Sequence, residues 1–229
     1  SRCVPKLQKP LMQGASSAAL SSSAALEQVI FQIGITAFLI LVAYYGTEAY
    51  AAYGIGVQIL SFSFVIGFGF SIAGATLVGQ HLGAQNKDQA KRAGWGAMRL
   101  SIISMTFFGV LITVFAEPLA RYMIDNDEVV RLTVIFIWLL GSMQPLMAIE
   151  FSLGGALRGA GDTKTPLAIT LTCLLFIRVF LAVIFFLLDA RIEIIFSTLV
   201  ADYIVKGFLY VARFRSDRWM NAIKSKEAG

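Results

Sequence analysis

The chain has 229 residues, of which 57% are hydrophobic and only 14% charged, and its mean hydropathy is +0.74. A water-soluble domain carries about 25% charged residues, so the composition excludes an ordinary soluble domain and makes the bilayer the economical solvent. The net charge of +5 does not indicate nucleic acid, because no basic stripe interleaved with aromatics occurs. In a membrane chain such an excess reflects segments that face the cytoplasm.

Cys3 and Cys173 lie far apart, and His81 is the single histidine. Neither a disulfide, a metal cluster nor a nucleophile–base grouping is expected from them, and with these go an enzyme and a cofactor. The chain starts at Ser1 with no charged-then-apolar signal pattern, which fits an internal fragment or a processed start.

Residues 1–23 are polar and rich in Ser, Ala and Pro, and read as a linker or tail. Six apolar runs follow, at Ala24 to Tyr45, Ala49 to Gly79, Ala93 to Phe115, Val129 to Leu157, Leu167 to Leu188 and Ile192 to Phe214. Each is long enough for a spanning helix, which needs about 20 apolar residues. The second reaches roughly 45 Å at 1.5 Å per residue, so it must tilt, bend or protrude. Pro145 predicts a kink in the fourth.

Membrane strands would alternate apolar and polar residues, and these runs do not. The stretch from Glu117 to Glu128 reads as a solvated loop. The basic tail 215–229, with Trp219, Met220 and Ile223, reads as a surface amphipathic helix or a disordered tail. Fourteen of the 19 Lys and Arg cluster in the two tails, in the segment Lys87 to Arg99 and in that from Arg158 to Lys164. Only Arg121, Arg131 and Arg191 fall on the other side. This asymmetry predicts both termini in the cytoplasm.

Two turn motifs carry the most information. The first is Val78-Gly79-Gln80-His81-Leu82-Gly83-Ala84-Gln85. The second runs from Gly154 through Leu157-Arg158-Gly159-Ala160-Gly161-Asp162-Thr163-Lys164 to Pro166. Small residues allow close backbone approach and a sharp turn. Arg158, Asp162 and Lys164 place the second motif at the membrane surface, and Pro166 suits the first turn of the next helix. Together with Ala25-Leu26-Glu27-Gln28, these motifs resemble those of the MATE family of multidrug and toxin extrusion transporters, over about residues 24 to 214. The resemblance implies an all-α integral membrane protein, a six-transmembrane-helix bundle that forms the C-terminal half of a twelve-helix transporter, with Gly79, Gln80, Gly83, Arg158, Gly159, Gly161 and Asp162 as its loop motifs.

Ionisable residues within spanning helices are functional candidates. Glu27 either complements the dipole of the first helix or binds a proton, Na⁺ or a cationic substrate; the resemblance associates an acid on this helix with cation binding. Glu150 follows Pro145, whose kink frees carbonyls beside which a carboxylate completes a cation site. Arg178 needs a buried partner, for which Glu27 and Glu150 are the candidates. Asp202 and Lys206, four residues apart, share one face as a self-contained ion pair. Gln32, Gln58 and Gln144 bond either substrate or neighbouring helices. Phe31, Tyr53, Phe62 and Met147 are candidates for an apolar cavity wall.

The expected function is half of a secondary antiporter in the plasma membrane that exports cationic or lipophilic drugs in exchange for H⁺ or Na⁺. It pairs with an N-terminal six-helix half or with a second copy of itself. The alternatives are a non-transporting membrane subunit and a lipid-linked sugar flippase, whose cavity is expected to be richer in bases than in carboxylates.

Overall fold

The computed structural model describes residue 29 and residues 32–221. Among these the regular structure is helical throughout: α1 (Gln32–Tyr44), α2 (Thr47–Gly83), α3 (Lys87–Val114), α4 (Ala116–Met123), α5 (Asp127–Ser142), α6 (Gln144–Gly159), α7 (Lys164–Thr172), α8 (Phe180–Leu187) and α9 (Ile192–Arg215). A π-helical segment, Cys173–Val179, joins α7 to α8, and a 3₁₀ turn, Arg218–Asn221, follows α9.

Four stretches are long and apolar enough to cross a membrane: α2, α3, the continuous Lys164–Leu187, and α9. The pair α5–α6 makes a fifth if its two parts, bent by 53°, act as one broken span. The described part of the first expected span, α1, is too short to cross alone, so the described residues hold up to five of the six expected spans.

Polar residues set the helix ends. The Asn86 side chain accepts from Gln89 N at 3.1 Å and caps α3. Asn126 accepts from Glu128 N at 3.0 Å and Val129 N at 3.1 Å and caps α5. At the second motif, Gly161 turns the chain at φ 82°, and Asp162 Oδ1 accepts from Thr165 N at 3.3 Å and Thr165 Oγ1 at 2.8 Å at the start of α7. The expected kink at Pro145 is a full break: α5 stops at Ser142, and Pro145 lies in the first turn of α6, where its missing N–H costs no hydrogen bond.

Burial follows from side-chain size. On α3 the inward positions Ala90, Gly94, Ala97, Ser101, Met105 and Gly109 are mostly small, while Ile103, Phe107, Val110 and Val114 stand exposed on the far side. This is the pattern of a helix whose outer surface meets lipid. Two apolar cores form. One gathers Phe38, Leu60, Phe136, Phe196 and their neighbours; the other gathers Val78, Leu153, Leu157, Tyr210, Phe214 and Trp219.

The two bundle ends differ. At one, Tyr45 Oη donates to Ala190 O at 2.8 Å, with burial and the Asp189 carboxylate pushing its phenol above the usual range. There Arg121 pairs with Glu117 and Asp127, and Arg131 with Glu128 and Glu193. At the other end Lys91 meets Asp217 at 2.7 Å and Arg213 meets Asp162 at 2.6 Å.

Three expectations need correction. The stretch after Phe115 is a short amphipathic helix, α4, rather than an open loop; Ala116 and Ala120 tuck against the core while its charges face out. The first motif is the last turn of α2, so that helix is 37 residues long, about 55 Å, and His81 sits in that last helical turn. Trp219 does not lie on a surface: it is 0% exposed, stacks on Phe214 at 4.6 Å and donates from Nε1 to Phe214 O at 2.9 Å. The described part of the tail, expected as a surface amphipathic helix or a disordered tail, is a short 3₁₀ turn folded back on the bundle, and residues 222–229, with Ile223, lie outside the described residues.

Candidate functional site

Between the two cores lies a cavity of about 430 Å³. Helix α2 contributes Tyr53, Val57, Phe64 and Phe68, which recur on one face. Helix α9 contributes Leu199, Tyr203, Lys206 and Tyr210, again on one face. Glu150, Phe151 and Arg158 come from α6, and Arg178 comes from the π-helical segment. Walls of aromatic rings with a few charged groups are the usual make-up of a small-molecule site.

The charged groups form two sets. Lys206, 3% exposed, lies 3.0 Å from Asp202 and 3.6 Å from Glu150. Asp202 is fully buried, and neither of its oxygens receives an aligned hydrogen bond. The Asp202–Lys206 pair is thus not self-contained, because Glu150 reaches across from α6 to complete a triad. Arg178 is 8% exposed. Its Nη2 donates to Tyr53 Oη at 3.3 Å, its guanidinium lies 4.9 Å over the Phe38 ring, and its Nε has no partner. Glu150, expected as a partner for Arg178, pairs with Lys206 instead. Glu27, the other candidate partner, lies outside the described residues, as do Phe31 and Cys3. Cys173 is buried and free.

The remaining candidates separate. Gln32 and Gln58 are exposed, and neither lines the cavity. Gln144 is fully buried at the α5–α6 break with both amide atoms unpartnered. Of the expected wall residues that the structure describes, only Tyr53 lines the cavity; Phe62 is 74% exposed on the outer face, and Met147 is packed against Met105 and Ala148. Arg158, read as part of a surface turn, occupies the last turn of α6, lines the cavity and donates to Ser71 Oγ at 3.2 Å.

The other motif residues lie at helix seams and helix ends. A Cβ on Gly155 or Gly159 would collide with the backbone of Ser71 or Ala75 on α2, and one on Gly79 would lie 3.1 Å from Gly159 O. Gln80 and Gly83 are exposed at the end of α2. Asp162 ties the start of α7 to Arg213 at the end of α9, at 3.0 Å to Nε and 2.6 Å to Nη2. Tyr203, Tyr210 and Phe151 were not anticipated, although Leu199, Tyr203, Lys206 and Tyr210 follow a one-face helical spacing that was readable. Tyr210 Oη donates to Pro166 O at 3.3 Å and lies 3.2 Å from Thr170 Oγ1.

Comparison with known proteins agrees with this architecture. The MatE family model matches residues 23–184. A probable multidrug resistance protein NorM from Thermotoga maritima is 33% identical over 204 residues, covering 85% of this chain and 42% of that protein. A second, from Mannheimia succiniciproducens, is 33% identical over 128 residues, 56% of this chain and 28% of that protein. Among solved structures, the MATE transporter ClbM in complex with Rb⁺ superposes with a TM-score of 0.81 at 22% identity, over 93% of this chain and 52% of that one. A MOP superfamily transporter from Pyrococcus furiosus, described as having a binding pocket of reverse polarity, superposes at 0.74 and 18% identity, over 80% of this chain and 41% of that one. The chain spans about half or less of the length of these relatives. It belongs to the MATE transporter family, as a multi-pass membrane protein related to multidrug efflux proteins.

Proposed function

We propose that this chain is one six-helix lobe of a secondary antiporter that exports cationic or lipophilic compounds in exchange for H⁺ or Na⁺. The observation that carries the reading is the triad. Two carboxylates, Glu150 and Asp202, share one ammonium, Lys206, so the fully ionised cluster holds one excess negative charge beside an aromatic cavity. At low dielectric that charge attracts a proton, a metal ion or an organic cation strongly. Competition among them biases inward-facing against outward-facing states.

The lobe needs a second wall, supplied by an N-terminal half or a second copy, because transporters of this kind rock one bundle against another. The basic bundle end faces the cytoplasm of a plasma membrane. Glu27 is the second candidate acid. In proteoliposomes holding the lobe and its partner, Glu150→Gln is expected to abolish ethidium efflux driven by an imposed proton or Na⁺ gradient while protein insertion stays normal. Glu27→Gln is expected to do the same. Unchanged efflux in either variant removes that acid from the mechanism.

One observation favours a second reading, a lipid-linked sugar flippase. The lining bases Arg158, Arg178 and Lys206 outnumber the lining carboxylate Glu150. Translocation of a lipid-linked sugar by the same proteoliposomes, without ethidium efflux, would select it.

A further inference from the structure

We infer that Arg178 is an oxyanion-binding subsite within the cavity, so that the transported molecules include ones that carry a carboxylate or phosphate group as well as an apolar body. This rests on the transport reading, and it goes beyond it by assigning the substrate an anionic pole.

The inference starts from how charge is distributed. Arg178 keeps its charge under all ordinary conditions, and it is only 8% exposed. A buried cation needs an anion nearby. Among the described residues, however, no carboxylate forms an ion pair with it. Its surroundings are one neutral hydroxyl, Tyr53 Oη at 3.3 Å, and one ring face, Phe38 at 4.9 Å. Its Nε has no partner at all. Yet two carboxylates crowd around Lys206 in the same cavity wall. A fold arranged only for stability would give one of them to Arg178. An anion that enters the cavity would supply the counter-charge that none of the described residues gives Arg178.

Geometry supports the same conclusion. Arg178 belongs to the π-helical segment Cys173–Val179, a departure from α-helix found preferentially at functional sites. A guanidinium presents its donors as a fork that matches carboxylate and phosphate oxygens. The wall next to it is aromatic, so an aromatic or aliphatic body fits beside the anionic group. A zwitterionic molecule would set its cationic end toward Glu150.

The test uses matched naphthalene probes with the protein and its partner lobe in nanodiscs of phosphatidylcholine. 1-Naphthyl phosphate, 1-naphthoate and 1-naphthylmethylammonium are titrated and read by fluorescence anisotropy. Arg178→Gln is expected to weaken at least one of the two anions tenfold or more and to change the ammonium probe less than twofold. Arg178→Lys, which retains the charge but not the fork, is expected to fall between wild type and Arg178→Gln. It also serves as the second variant should Arg178→Gln fail to insert. Adding phosphatidylglycerol to the nanodiscs separates the sources of the oxyanion: competition with naphthyl phosphate in wild type but not in Arg178→Gln supports the subsite and identifies a lipid headgroup as occupant. Equal anion affinity in wild type and both variants overturns the subsite. So does restoration of Arg178→Gln folding by Glu27→Gln, which would make Arg178 the counter-ion of Glu27. Ethidium efflux by the wild type that is lost in Glu150→Gln keeps a failure here distinct from a failure of the antiport reading.

Discussion

Helix α6 has two faces that solve opposite problems. Toward α2 it presents Gly155 and Gly159, against which the Ser71 and Ala75 backbones pack with no room for a side chain. Toward the cavity it presents Glu150 and Arg158, eight residues apart and therefore on one side of the helix. The seam holds chiefly by close contact, with Arg158 donating to Ser71 Oγ at its edge, as helix pairs in lipid must where water supplies no driving force. The cavity face spends that tightness on a space lined by charges that are costly to bury. A rigid seam keeps the two helices fixed while the cavity stays open enough to hold a ligand.

Variants on the two faces should break this contrast in different ways. Lys206→Met strands the buried Asp202 and the half-buried Glu150 and is expected to destabilise the protein by about 3–5 kcal/mol, read as the unfolding midpoint in detergent. Adding Asp202→Asn should recover a good part of that loss, because the coupling between contacting sites is not additive. Independent, additive effects would mean that the triad is not one unit. Gly155→Ala forces a Cβ into the Ser71 backbone and is expected to cost about 1–3 kcal/mol, while anion and cation probes still bind in whatever protein remains folded. Asp162→Ala removes the start of α7 and its link to Arg213, at about 1–2 kcal/mol. Arg121→Ala, in an exposed ion pair at the opposite end, is expected to leave the unfolding midpoint unchanged within error. A clear drop there would show that this end is more than a solvated rim.

Four of the expected apolar spans, or five with the bent α5–α6 pair, were legible because hydrocarbon length imposes about 20 apolar residues on each, and the break near Pro145 was legible because proline cannot continue a helix. That the second motif permits close backbone approach was visible in its small residues, but that α2 is the helix it meets was not. Helix α4 was not, since eight amphipathic residues among Glu117, Arg121 and Asp127 look like loop. The π-helical segment leaves no periodic mark in Cys173–Val179. Trp219 sits among bases, and its neighbours suggested a surface rather than a stack on Phe214.

The candidate site divides along the same line. The pairing of Asp202 with Lys206 is a matter of four residues on one helix, so the sequence alone determined it. So were the apolar segments and the small-residue motifs, because each depends on spacing within a single element. That Glu150 joins the triad from α6, that Arg158 turns into the cavity, and that Arg178 meets Tyr53 and Phe38 instead of an acid were decided only by the tertiary structure. These partners lie 52 to 140 residues apart in the chain, and only the packing of α1, α2, α6, the π-helical segment and α9 around one space brings their side chains together.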